Sequence, residues 1–269
     1  MSAEGRVLLS DGVVRTEVVD SHILLITLNR PDARNAVNRE VAAALGHAAE
    51  LLNTDPNLHI GVLTGTGAAF CAGMDLKAFA NGQSPWLEEH PEWGFAGFVG
   101  HHIARPMIAA VNGFAFGGGF ELVLSCDLVV ASKEARFALP EATRGLIAGG
   151  GGLPRLAQQI PARVAARMVY TGEPLDAAEA LRWGLVNEVV AADELLDVAL
   201  VLAAKVATQA PLAISTTKRM LADLTQLPTW TPEFWKSANE SFRAIMRSDD
   251  ALEGARAFAE KRSPRWSGR

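Results

Sequence analysis

Cysteine is scarce in this chain. Cys71 and Cys126 are the only two among 269 residues. Their number and separation exclude a disulfide framework and give no zinc-type spacing. Basic residues are not in excess either. Lys and Arg number 25 against 30 Asp and Glu, a net charge of −5, so no overall field favours nucleic acid or an anionic membrane. No apolar run reaches the length of a bilayer span, and the segment Met1–Arg6 lacks the basic flank and apolar stretch of a leader. Neither stable membrane insertion nor export is therefore expected. Internal repeats and low-complexity tracts are missing. Several catalytic signatures also fail: no Gly-Lys-Ser/Thr follows Gly117-Gly118-Gly119, Gly65-Thr66-Gly67 lacks the third glycine of a dinucleotide fingerprint, and no Gly-x-Ser-x-Gly elbow occurs.

What remains is the composition of a globular protein, 49% apolar and 20% charged, for which a cytoplasmic enzyme is the expectation. The length suits one large α/β domain or two small ones. Val13 to Val19 and Ile23 to Leu28 are short apolar runs split by Asp20-Ser21, which predicts an antiparallel hairpin. Val37 to Leu52 repeats apolar residues at helical spacing, and Ile60 to Thr64 reads as a buried strand before a small-residue loop from Gly65 to Gly73. The theme recurs with a strand over Pro106 to Val111, a short helix over Phe120 to Ser125 and a strand over Leu128 to Ala131. Crossovers so short predict stacked turns with small sheets. Helices are expected over Val164 to Tyr170, Ala177 to Trp183 and Glu194 to Ala207, with a strand over Val186 to Val190. Pro211, Pro228 and Pro232 mark boundaries in a mainly helical last third. Between Leu76 and Val99 the pattern dissolves, and Trp86, Trp93, Phe95 and Phe98 fit two readings: the underside of a mobile flap, or side chains that complete the core.

Two carboxylates and a glycine cluster carry the chemistry. Gly117-Gly118-Gly119 before a helix is either a tight turn or a corner where backbone N–H groups meet an anion. Glu121 follows among Phe120, Leu122, Val123 and Leu124. Apolar burial would raise its pKa, whereas the field of a first helical turn would lower it. Glu141, after Pro140, is either a helix-start residue paired with Arg144 or the second acid of a pair. Two opposed carboxyls beside a glycine corner can activate water and deliver a proton to neighbouring carbons. His101-His102 have no metal-spaced partners and no metal site is expected, Cys126 fills core space, and Cys71 has no evident base.

Over almost its whole length the chain resembles the enoyl-CoA hydratase/isomerase (crotonase) superfamily. The resemblance is carried by Leu28-Asn29-Arg30-Pro31 with Asn35-Ala36, and by Phe70-Cys71-Ala72-Gly73-Met74-Asp75-Leu76-Lys77. It continues in Pro106 to Leu122 with its glycine corner, in Ala135 to Glu141 followed by Gly145, and in Thr171-Gly172 to Gly184-Leu185-Val186-Asn187. It implies an α/β fold, a ClpP/crotonase-like spiral core of repeated ββα units with a C-terminal helical trimerisation region. Residues 1–200 would form the thioester-binding and catalytic core, and residues 201–269 the helical oligomerisation and substrate-covering region. A homotrimer or a dimer of trimers is implied, with Trp230, Phe234 and Trp235 fitting an interface. In the tail from Glu260 to Trp266, a basic residue would meet CoA phosphate across a subunit boundary.

The same resemblance assigns the backbone N–H groups of Met74 and Gly118 to the hole that holds a thioester oxygen. Glu121 and Glu141 match the two glutamates of family hydratases. Ala72, Asp75, Leu76 and Lys77 would shape the donor loop, Ala33, Arg34 and Ala36 would lie near the adenine or pantetheine end of CoA, and Gly149 would bring a backbone group near the water. The implied activity is reversible hydration of a trans-2-enoyl-CoA, with CoA as part of the substrate and no separate cofactor. A double-bond isomerase and a low-turnover acyl-CoA-binding member are the alternatives. The chain departs from the hydratase pattern twice, carrying Ala148 where proline is common and then the run Gly149-Gly150-Gly151-Gly152.

Overall fold

A computed structural model describes residues 6–224 and 231–269. The chain opens with an antiparallel meander of β1 (Arg6–Ser10), β2 (Val14–Val19) and β3 (Ile23–Leu28). The β2–β3 hairpin runs in register from Val14 opposite Leu28 to Val19 opposite Ile23. Asp20 and Ser21 at its tip both take positive φ, 50° and 64°, the signature of the turn whose twist matches paired strands. β1 has no counterpart in the sequence reading. Its Val7, Leu8 and Leu9 are all exposed, so no alternation of buried and solvated positions announces it.

Every residue of β3 is buried, which explains its uninterrupted apolar sequence: a strand covered on both faces has no polar side to show. Leu24, Ile26 and Leu28 join the main core, while Ile23 and Leu25 face the opposite way into a second one. Helix α1 (Arg39–Thr54) begins two residues later than its apolar period suggests because Asn38 caps it, accepting from Val41 N at 3.0 Å.

The spiral follows. Strand β4 (Ile60–Gly65), strand β5 (Ala69–Cys71) and helix α2 (Leu76–Ala80) make one turn. Strand β6 (Met107–Val111), strand β7 (Phe114–Phe116) and helix α3 (Gly118–Leu124) make the next. Strand β8 (Leu128–Ser132) and strand β9 (Arg136–Ala138) lead into a single 3-10 turn, Glu141–Arg144. The rest comprises α4 (Gly152–Gln159), α5 (Ala162–Thr171), β10 (Leu175–Asp176), α6 (Ala177–Arg182), β11 (Glu188–Val190) and α7 (Leu195–Ala207). Helices α8 (Pro211–Leu224), α9 (Pro232–Met246) and α10 (Asp249–Glu260) complete it.

In each turn the longer strand enters one sheet and the three-residue strand a second. The first sheet has the order β1-β2-β3-β4-β6-β8-β11 and is parallel from β3 onward; the second has the order β10-β9-β7-β5. The main core lies on one face of the large sheet, and α7 covers the other with Leu195, Ala199, Leu200, Ala203 and Ala207. Residue 200 lies inside this helix, and Ala203 and Ala207 beyond it still pack on the sheet.

Of the two readings for the irregular stretch, burial favours the core. Trp93, Phe95 and Phe98 are buried, and Trp93 is stacked between His90 and His101 at centroid distances of 3.8 and 4.4 Å. Trp86 stays 41% exposed. On the last helices Leu221, Trp235, Phe242, Met246 and Phe258 are exposed; Trp230, Pro228 and the Phe234 side chain lie outside the described residues. In the tail, Arg262 pairs with Glu253 and Glu260 of its own chain, and Trp266 donates to Thr208 O. Among the described residues no single helix is long and apolar enough to cross a membrane.

Candidate active site

The β7–α3 junction places the first carboxylate. Gly117 takes φ 55° and ψ −127°, a conformation that a Cβ disfavours. Gly119 lies so close to β5 that a Cβ there would collide with the Cys71 carbonyl. Helix α3 is thereby pressed against the sheet, and Glu121 on its first turn is 3% exposed. Its Oε1 accepts from the Gly152 amide at 2.9 Å, and the Gly150 amide also bonds the carboxylate. A Cβ on Gly150 would stand 2.5 Å from Oε2, and one on Gly152 would stand 2.9 Å from Cγ. The glycine run is therefore a cradle shaped to this side chain. Burial raises the Glu121 pKa; the two amides and the charge of Arg155 oppose the rise without cancelling it.

Glu141 comes from the turn after β9. Its Oε1 lies 3.2 Å from the position a Gly117 Cβ would occupy, so the carboxyl stands at the glycine corner. Its Oε2 is buried and has no hydrogen-bond partner, which is rare for a group whose desolvation is so costly. Burial raises its pKa, the Glu121 charge adds to the rise, and Arg144 opposes it. Two acids that disfavour one another's charge will share protons unequally, the arrangement needed for one to donate while the other accepts.

Raised carboxyl pKa values carry a stability cost. A folded acid that holds its proton longer than the unfolded chain loses stability as pH climbs from the ordinary value of 4.5 through its folded value. Glu121→Gln and Glu141→Gln should therefore melt at higher temperature than the parent at neutral pH. The difference should shrink as pH falls toward 4.5. Melting curves across that range check this, and a gap that widened in acid would contradict it.

The candidate oxyanion donors meet at the same corner. Gly118 opens α3, so its N–H is one of the helix-start donors with no intrahelical acceptor. Gly73, at φ +88°, is packed so that a Cβ would stand 2.9 Å from the Gly118 nitrogen. Val37 N donates to Gly73 O and Asp75 N donates to Val37 O, at 2.8 and 2.9 Å. The Met74 amide between them points out of that ladder. Behind Gly118 lies the ring of Phe95, in edge contact with Trp86 at 5.6 Å.

Apart from Gly149, the remaining predicted residues lie on the segments that lead into α1 and α2 and at the start of α2. Ala33 ends a 3-10 turn, and Arg34, left-handed at φ 53°, accepts from the Ala72 amide at 3.0 Å. Arg30 joins the two loops by donating to Ala36 O and pairing with Asp75 at 3.1 Å. Asp75 caps α2 through the Ala78 amide. Burial opposes its ionisation, yet the amide and the Arg30 guanidinium prevail and hold it below the usual carboxylate range. Leu76 and Lys77 are exposed. Gly149 is exposed as well, and the amides that reach Glu121 belong to Gly150 and Gly152 instead.

Sequence reasoning gave no site role to Phe95, Gly150, Gly152 or Arg155. The glycine run pointed toward two of them; a lone arginine and a phenylalanine in an irregular segment carry no such signal. Burial pushes the Cys71 thiol up to about 12, which makes it a poor nucleophile. His101 is held by Glu50 and the Gly97 carbonyl.

A family model described as enoyl-CoA hydratase/isomerase matches residues 19–269. The chain is 41% identical over 256 residues to carnitinyl-CoA dehydratase from Proteus mirabilis, covering 92% of this chain and 95% of the relative. The crystal structure of enoyl-CoA hydratase EchA1 from Mycobacterium marinum superposes with a TM-score of 0.88 at 42% identity, covering 98% of this chain and 99% of that one. That of carnitinyl-CoA hydratase from Mycobacterium avium gives 0.74 at 45% identity, covering all of both chains.

Proposed function

The chain belongs to the enoyl-CoA hydratase/isomerase family, and on that premise we propose that it is a hydro-lyase adding and removing water across the 2,3 double bond of a 2-enoyl-CoA thioester. The observation that carries this reading is the contrast between its two acids. Glu121 is held by two amides, while Glu141 presents a buried, unpartnered oxygen at the same glycine corner. Hydration places hydroxyl on Cβ and a proton on Cα, with negative charge gathering on the thioester oxygen. The fixed carboxylate of Glu121 suits the positioning and activation of water, and Glu141 suits delivery of the proton to Cα; the roles exchange in dehydration. The Met74 and Gly118 amides would hold the developing oxyanion, each contributing roughly 2.7–4 kcal/mol.

CoA enters as part of the substrate, and no separate cofactor is invoked. Ala33, Arg34, Ala36 and Ala72 together with Asp75, Leu76 and Lys77 form the rim along which its pantetheine and adenine would lie. A homotrimer or a dimer of trimers in the cytoplasm completes the proposal. The relatives named for carnitinyl-CoA make that thioester a substrate to try beside unbranched enoyl-CoAs.

A crotonyl-type thioester incubated in heavy-oxygen water should acquire labelled oxygen at Cβ, read by mass spectrometry. Carnitinyl-CoA and a 3-enoyl thioester run in parallel. Rapid conversion of the 3-enoyl compound with no oxygen taken up from any substrate would replace the hydratase reading with isomerisation. Tight thioester binding with no turnover of the whole panel would replace both with a binding role.

A further inference from the structure

Arg155 spans two segments that the chain keeps far apart. From α4 its Nη1 donates to Gly150 O at 3.2 Å and its Nη2 donates to Val99 O at 2.5 Å. Gly150 belongs to the loop whose amides hold Glu121. Val99 ends the irregular stretch that contains Phe95, whose ring backs Gly118. One planar guanidinium thus fastens the cradle of one acid to the wall behind an oxyanion donor, a two-pronged grip that an ammonium group cannot reproduce. Room for it depends on Gly151, which takes φ +86° and where a Cβ would collide with Nη1.

The charges around this grip are few. Helix α3, which carries Glu121, packs on β5, β7 and α4. These face it with the neutral Cys71 thiol, with no titratable side chain from Phe114–Phe116, and with Arg155. Glu141 adds its charge from the turn after β9. Arg155 also lines a cavity of about 540 Å³, together with His101, His102, Lys218 and Arg219. Lys218 is paired with Asp127, Arg219 donates to Ser241, and His101 meets Glu50. Burial disfavours the Arg155 charge and the Glu121 carboxylate favours it; reciprocally, Arg155 favours the ionised form of Glu121.

We propose that Arg155 is a positioning residue for the hydration reaction, which ties the Glu121 cradle to the segment behind Gly118 and sets its positive charge beside the Glu121 carboxylate. The inference rests on the hydratase reading for its kinetic part; its electrostatic part rests on the shared loop, where Arg155 Nη1 donates to Gly150 O two residues from the Gly152 amide that holds Glu121. Two variants of the full chain, Arg155→Met and Arg155→Lys, separate charge from grip. Turnover is followed as a function of pH, and the Glu121 carboxyl is titrated directly by carbon-13 NMR, its signal identified through Glu121→Gln.

Arg155→Met should lower kcat by about 10²-fold with KM changed only a few-fold, the scale of a small misplacement of reacting groups. The acid limb of its kcat/KM profile and the Glu121 signal should both move to higher pH. Arg155→Lys should return the titration close to that of the parent while leaving most of the kcat loss, since it keeps the charge and loses the fork. A folded Arg155→Met protein with parental rate and parental titration overturns the proposal. If it fails to fold, Arg155→Lys decides: parental kcat overturns the grip and reduced kcat with parental titration supports it. If the parent hydrates no thioester, the functional reading falls, yet an unmoved Glu121 titration in Arg155→Met still overturns the electrostatic role and a moved one supports it.

Discussion

Glu121→Gln and Glu141→Gln should each lower hydration by at least about 10²-fold while leaving CoA-thioester affinity within a few-fold, the usual scale of a general acid or base. The amide preserves shape at both positions. In Glu121→Gln the side-chain oxygen can still accept from the Gly152 and Gly150 amides, so the cradle has no reason to open. What is lost is the capacity to take up and release a proton. The two losses should not multiply in the double variant, because one acid without the other cannot complete addition across the double bond. The measurement is kcat and KM for the single and double variants with circular dichroism as the control for folding. Near-parental turnover in either folded single variant would remove that glutamate from proton transfer.

The second large effect concerns a single N–H. Replacing Gly118 by proline deletes the candidate oxyanion donor, and loss of one such donor costs roughly 10²–10³-fold in kcat. A bare substitution is ambiguous, since any side chain at this position runs into the Phe95 ring. The comparison is therefore made with that ring removed. Phe95→Ala/Gly118→Ala keeps the donor, and Phe95→Ala/Gly118→Pro lacks it. The first position of a helix tolerates proline, so both should fold alike. The Pro variant should then be slower by the full donor effect, with KM little changed. Equal rates in the two double variants would show that the Gly118 amide holds no developing charge.

These expectations were legible in the sequence to different depths. Long apolar runs announced themselves: β3, β4, β6 and β8 are buried on both faces, and their composition says so. The three-residue strands β5, β7 and β9 were invisible, because so short a segment has no period to read. Their existence follows from the spiral, in which each turn must reach a second sheet before its helix. Glu121 and Glu141 were identified by type and by resemblance, but neither their opposite states of hydrogen bonding nor the grip of Arg155 leaves a trace in local pattern. Both depend on chain segments brought together only by folding. The glycine run was noticed as a departure; its reason, close approach by Glu121 and Arg155, is a matter of atomic contact.

A corner walled by backbone has a further consequence for how this protein acquires new preferences. Gly73, Gly117, Gly118, Gly119, Gly150 and Gly152 are all approached so closely that a Cβ at any of them would press on a neighbouring residue. Mutation therefore has almost no neutral steps available at the reacting centre. Side chains that can vary by increments begin farther out, at exposed Trp86, Leu146 and Ile147. On the proposed reaction, the glutamates and amides that meet the reacting atoms would be held by a main-chain frame that resists substitution, while acyl preference would be set by the outer side chains. Divergence can proceed in the second while the first stays frozen.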